Sequence, residues 1–196
     1  MSALPRIASR ALRSTPLLRI ARTPAGLAMA TLLSLSLAAT AMAAEPRTAY
    51  YVQGGVAEDA QSLTVGASRD WAWEKQYGFG HVTGQWQGEI GRWHSDNQGS
   101  TQVGISPALR LRPNGWNEGW FIEGGIGVNV IFPKYSTEKK TFSTTFNFGD
   151  HIALGKRFGA DAQHEWSLRF QHFSNARIRR PNPGENFLQF RYTRRL

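Results

Sequence analysis

The chain has 196 residues, with 12% aromatics, twenty glycines, no cysteine and a formal net charge of +9. That length supports one domain with a substantial core, and the lack of cysteine excludes disulfides and thiolate metal sites. Much of the charge lies at one end: residues 1–43 carry Arg6, Arg10, Arg13, Arg19 and Arg22 and no acid, leaving 18 basic and 14 acidic residues, a net of +4 that is not the footprint of a nucleic-acid binder.

Residues 1–43 read as an export signal. A basic stretch precedes an apolar run from Leu27 to Ala39, and Ala41-Met42-Ala43 supplies small residues for cleavage before Ala44. An acid-free leader containing Arg and Ser also fits a mitochondrial presequence, but the apolar run followed by A-x-A favours secretion. The run is too short for a transmembrane helix. Residues 44–196 then form the mature domain.

That domain is a series of alternating runs. Tyr50–Ala57 comes first. In Leu63–Arg69, Leu63, Val65 and Ala67 share one face, with Thr64 and Ser68 on the other. Val82, Trp86 and Ile90 alternate with His81, Thr83, Gln85, Gln87 and Glu89. Val103, Ile105, Pro107, Leu109 and Leu111 oppose Gln102, Ser106, Arg110 and Arg112. Trp120, Ile122, Ile126, Val128, Val130 and Phe132 oppose Glu123 and Asn129. A sixth run carries Phe142, Phe146, Phe148, Ile152, Leu154 and Phe158 against Ser143, Thr145, Asn147 and His151. In the seventh, Trp166, Leu168, Phe170, His172 and Ser174 share one parity, and in the eighth Asn186, Leu188, Phe190 and Tyr192 do. The count is eight strands, with no run of helical period long enough to compete.

Alternation alone also fits a secreted soluble β-barrel. Strand length, an even strand number and the export signal favour an all-β, eight-stranded antiparallel transmembrane barrel of the outer membrane. Trp71, Trp93, Trp120, Phe132, Phe142, Phe158, Trp166 and Tyr192 near strand ends are expected to form two interfacial girdles. Glu89, Arg110, Glu123, Arg169 and Arg191 are expected to fill a narrow interior as paired charges. With both termini periplasmic, segments near 57–62, 94–100, 133–141 and 175–186 lie outside, and those near 70–77, 113–118 and 159–164 lie inside. His172 and Ser174 then face lipid at the level of the outer leaflet, which in a Gram-negative cell is lipopolysaccharide.

The string His172-Phe173-Ser174-Asn175-Ala176, followed by Pro181-Asn182-Pro183-Gly184, resembles the signature of the PagL family, the outer-membrane lipid A 3-O-deacylases. Asn147-Phe148-Gly149-Asp150 and Ile122–Val128 resemble that family's sixth and fifth strands. The resemblance covers essentially the whole mature chain. It implies an esterase that removes the 3-O-linked acyl chain of lipid A, with Ser174 as nucleophile and His172 as general base. It also implies an oxyanion hole from Asn175 and the backbone N–H of Arg177, where a small residue is expected. The third member departs from the pattern. An ungapped reading places Asn186 where the family has its acid, with Glu185 one residue earlier and on the opposite parity. Glu185 orients His172 if it lies in the loop end or a bulge, where the alternation is relaxed; Asn186 does so as a neutral acceptor otherwise. The carboxylate favours Glu185, and Asp150 on the neighbouring strand is a supporting residue.

Arg177, Arg179 and Arg180 read equally as a solvated loop or as contacts to lipid A phosphates. His81, His94, His151 and His164 have no metal-ligand spacing, and no nucleotide motif follows a strand, so neither a metal nor another cofactor is implied. Without the resemblance, His172 and Ser174 are ordinary interfacial strand residues. The alternatives are a non-enzymatic OmpX-like barrel and an outer-membrane phospholipase. The sequence leaves open whether two copies form a homodimer.

Overall fold

Alternation at period two becomes eight antiparallel strands: β1 Thr48–Val56, β2 Ala60–Tyr77, β3 Gly80–Ser95, β4 Gly99–Pro113, β5 Trp120–Phe132, β6 Phe146–Phe158, β7 His164–Ser174 and β8 Glu185–Arg195. The computed structural model describes residues 47–196 apart from Asn97, so the expected export signal lies outside the described residues. Each strand pairs with the next, and β1 pairs with β8 to close the barrel. Closure removes sheet edges, so every strand meets its backbone hydrogen bonds within the wall.

The two faces are inverted relative to a soluble barrel. Leu63, Ile126, Ile152 and Leu168 project outward and are about half exposed or more, whereas Gln85, Gln87, Arg110, Glu123, Glu165 and Arg169 are buried in the lumen. This is the arrangement of a transmembrane barrel. Glu123 is the hub of the interior. It accepts hydrogen bonds from Gln85 Nε2 at 2.7 Å, Gln87 Nε2 at 2.9 Å, Arg110 Nη2 at 2.6 Å and Arg169 Nη2 at 2.8 Å. Arg110 also bridges to Glu165 at 2.7 Å, and Arg191 to Glu89 at 3.4 Å. A buried charge in such a network is tolerated because its partners are present, and removing one partner costs about 3–5 kcal/mol.

The girdle expectation is met only in part. Trp120, Phe158, Trp166 and Tyr192 gather on the outer wall at the end that carries the chain termini. Trp120 and Trp166 meet edge to face at 5.3 Å. Phe132 stands half exposed at the opposite end. Trp93 and Phe142 instead turn inward and are 1% and 3% exposed. Trp93 shares the odd parity of Gln85, Gln87 and Glu89, so regular alternation sends it to the lumen. Phe142 precedes β6, which starts at Phe146, and folds back from the β5–β6 loop. With Ala60, Ile131, Tyr135, Phe173 and Phe187 these two residues form an apolar plug. The stretch 70–77, expected as a turn, is instead the last part of β2, and the chain reverses at Gly78-Phe79.

Candidate active site

The outer ends of β7 and β8 are fixed from inside. Phe173 packs edge to face on Trp93 at 4.7 Å, and Phe187 tilts onto the same ring at 4.7 Å. Each anchor sits beside a residue of opposite parity, so holding Phe173 aims His172 and Ser174 outward and holding Phe187 aims Asn186 outward. The register pairs His172 with Asn186 and Phe173 with Glu185.

The consequence is direct. His172 Nδ1 donates to Asn186 Oδ1 at 2.7 Å, which leaves Nε2 without a partner among the described residues. Glu185 is 1% exposed and faces the lumen. It accepts from Tyr135 Oη at 2.7 Å and Lys140 Nζ at 3.0 Å. The expectation that Glu185 orients His172 is therefore corrected. No bulge turns it outward: the chain makes its turn at Gly184, with φ of 68°, and β8 pairs regularly from Glu185 onward. Burial and the Glu185 bond push the Tyr135 phenol above its usual range. Burial works against the Lys140 ammonium, but bonds to Glu185 and Glu58 raise it overall.

Gly184 is required twice. Its positive φ disfavours a side chain, and a Cβ there would lie 2.7 Å from His172 Cε1 and 3.3 Å from Nε2. On the other flank Asp150 pairs with His172 across β6 and β7. Asp150 is exposed and forms no hydrogen bond or ion pair with any described residue. Its side chain is a cross-strand neighbour of the imidazole rather than a bonded partner.

Ser174 continues the outward row beyond His172, and its Oγ accepts from the Ala176 N–H at 3.4 Å. No hydrogen bond joins it to His172 among the described residues. The following loop departs from expectation at Asn175. That residue is 1% exposed, and its Nδ2 donates to Ser143 Oγ at 2.9 Å, Thr144 Oγ1 at 3.1 Å and the Arg179 carbonyl at 2.9 Å. Its own N–H donates to Asn182 Oδ1 at 2.9 Å. Asn175 thus ties the β7–β8 loop to the β5–β6 loop and is not free as an oxyanion donor. Ala176 and Arg177 follow with φ of 50° and 65°. The Arg177 N–H has no acceptor among the described residues, and the Ala176 N–H is directed at Ser174 Oγ. The side chains of Arg177, Arg179 and Arg180 are exposed and form no ion pair with a described residue. Sequence reasoning missed Ser143, Thr144 and Asn182 as anchors; only the buried Asn175 contacts reveal them.

An apolar groove of about 730 Å³ leaves His172 and Asp150 and crosses the outer wall, past Ile126, Ile152 and Gly124, to Trp71. A groove of this size suits a ligand of modest bulk, and its apolar lining suits hydrocarbon. Sequence reasoning did not find it. The available signal was Gly124, a glycine on the outward parity of β5.

The family model described as "Lipid A 3-O-deacylase (PagL)" matches residues 61–195. The chain is 33% identical to the lipid A deacylase PagL of Bordetella bronchiseptica over 170 residues, covering 83% of this chain and 92% of that protein. It is 30% identical to the lipid A deacylase PagL of Pseudomonas aeruginosa over 136 residues, covering 67% and 76%. Among solved structures it is similar to the crystal structure of the outer membrane enzyme PagL. That match has a TM-score of 0.66 and 24% identity, and covers 74% of this chain and 97% of that one. The structural likeness extends to the fold.

Proposed function

This chain belongs to the lipid A 3-O-deacylase family, and we propose that it hydrolyses the 3-O-linked acyl ester of lipid A from the outer wall of its barrel, at the level of the outer leaflet. The observation that carries the mechanism is the His172–Asn186 bond at 2.7 Å. Asn186 holds the proton on Nδ1, so Nε2 is the basic nitrogen, and Ser174 is two residues away on the same face. Rotation of the Ser174 side chain toward Nε2 passes the hydroxyl proton to His172 as Oγ attacks the ester carbonyl. The backbone N–H groups of Ala176 and Arg177 receive the oxyanion. Collapse breaks the bond to the sugar oxygen, which takes the proton from Nε2. Water then cleaves the acyl-serine by the same route, and a fatty acid and a free 3-hydroxyl are released. Asp150 favours the transient imidazolium through space rather than through a bond. Arg177, Arg179 and Arg180, without an ion pair among the described residues, suit the phosphates of lipid A. Residues 1–43 serve as the export signal that delivers the barrel.

Mass spectrometry of lipid A from cells with and without the protein tests this. The expected result is loss of one 3-linked acyl group with the wild type and none with Ser174→Ala or His172→Ala, each variant still shifting on an unheated gel as a folded barrel. An unchanged spectrum with folded wild type, or loss of acyl chains from phosphatidylethanolamine instead, refutes the proposal.

A further inference from the structure

The groove that starts at His172 ends against Trp71. We propose that the indole of Trp71, carried on a bulge of β2, sets the longest acyl chain the site accepts. This rests on reading the site as an acyl-ester hydrolase and adds to it the residue that determines chain length.

The groove follows a row of outward residues across the wall. His172 pairs with Asp150 and Asp150 with Ile126. Pro107 on β4, which lines the same groove, pairs with Trp86 on β3. From β7 to β3 the row makes four steps of about 4.8 Å, roughly 19 Å in all. It also descends. His172 is two residues from the loop end of β7, whereas Trp86 is nine residues from the loop end of β3. A chain entering at His172 therefore runs down the wall, in the direction that hydrocarbon tails take in a leaflet. Its floor is open at Gly124, where the nearest atom to a Cβ would be the His151 carbonyl oxygen at 3.7 Å.

The far end is built differently. Between Asp70 and Glu74, the three residues Trp71-Ala72-Trp73 face the single Gly84 of β3. Two added residues leave the in–out parity of the remaining strand unchanged, so the bulge is not needed to keep the faces in order. What it does is re-aim a side chain, as bulges commonly do. Trp71 lies flat on Gly84, where any Cβ would fall 1.8 Å from its Cε3. Its ring centroid is 5.9 Å from that of Trp86. On the lumen side of the wall at this level, Asp70, Glu74, Arg112, Arg157 and Arg195 line a separate pocket that Trp71 also borders. The indole, laid on the outward face of Gly84, is the far lining residue of the groove.

Selection here is steric. Hydrocarbon tails are already in an apolar medium, so the groove lining offers them little hydrophobic gain. A chain that reaches Trp71 must instead overpack against the indole. Overpacking of that kind lowers turnover by at least ~10-fold.

The test uses lipid A analogues that differ only in the length of the 3-linked acyl chain, assayed in detergent micelles with the full protein. Wild type is expected to show a chain-length cut-off in kcat/KM. Trp71→Ala moves it to longer chains, as does Gly84→Ala, which displaces the indole. Gly124→Leu, which fills the groove midway where there is room, moves it to shorter chains. The heat-shift gel reports folding of each variant. A wild-type profile without a cut-off, or an unmoved cut-off in the variants that fold, overturns the assignment of Trp71. Hydrolysis of no analogue by folded wild type overturns the esterase reading beneath it.

Discussion

The neutral third residue can be tested by exchanging the roles of two adjacent side chains. Asn186→Ala removes the acceptor of the 2.7 Å bond from His172 Nδ1. A bond of this kind contributes about 1–3 kcal/mol when its loss leaves a polar group unpaired, so kcat/KM should fall about 5- to 150-fold. Asn186→Asp keeps the shape and adds a charge opposite the imidazolium. Charge-assisted bonds exceed neutral ones by about 1 kcal/mol, so kcat should rise several-fold. Glu185→Gln is the control. Its carboxylate is bonded to Tyr135 and Lys140 in the lumen, so the substitution should lower stability by about 1–3 kcal/mol and leave kcat within a few-fold. The assay is release of fatty acid from purified lipid A in detergent, with urea unfolding followed by tryptophan fluorescence for stability. A 100-fold loss in a folded Glu185→Gln variant, together with an active Asn186→Ala, would refute the assignment.

Three further outcomes are expected. Glu123→Ala removes the carboxylate paired with Arg169 and leaves Arg110 with Glu165 alone, and should destabilise the barrel by about 3–5 kcal/mol, read as a lower urea midpoint. Asp150→Asn removes a charge about 5 Å from the imidazolium, worth about 1–3 kcal/mol at an effective dielectric between protein surface and water, so kcat should fall 5-fold or more with KM little changed. Arg177→Gly relieves a left-handed residue with φ of 65°, a strain of about 1–2 kcal/mol that offsets the looser unfolded chain; stability should hold and KM for phosphorylated lipid A should rise while kcat is retained.

The parity of β7 and β8 was legible because a buried face enforces alternation, and it correctly separates His172, Ser174 and Asn186 from Phe173 and Glu185. The error at Glu185 came from preferring charge over parity. Nothing local to Glu185 reveals that Tyr135 and Lys140 wait for it across the lumen. Trp93 was legible by the same rule, since it sits on the polar parity of β3, and reading aromatics near strand ends as girdle residues obscured it. Asn175 was misread because its acceptors, Ser143 and Thr144, come from a different loop. The length of β2 was hidden by the bulge at Trp71–Trp73, which breaks the alternation for three residues before pairing resumes.

A hydrolytic site on an apolar wall faces a cost that a cleft does not. A carboxylate hydrogen-bonded to imidazole develops a full ion pair, and charge near hydrocarbon is unfavourable without close compensation. Asn186 fixes the tautomer of His172 without adding a charge there. The adjacent carboxylate, Glu185, is kept inside, where Lys140 and Tyr135 satisfy it. In the proposed mechanism the negative charge that the imidazolium needs comes from Asp150, which is exposed and unbonded among the described residues. A charge held by no fixed partner can stay hydrated while the site is empty and be desolvated only when substrate covers it. Its influence would then grow as water leaves. On this argument Asp150 matters most in the substrate complex, so Asp150→Asn should lower kcat more than it lowers barrel stability, whereas Glu185→Gln should do the reverse.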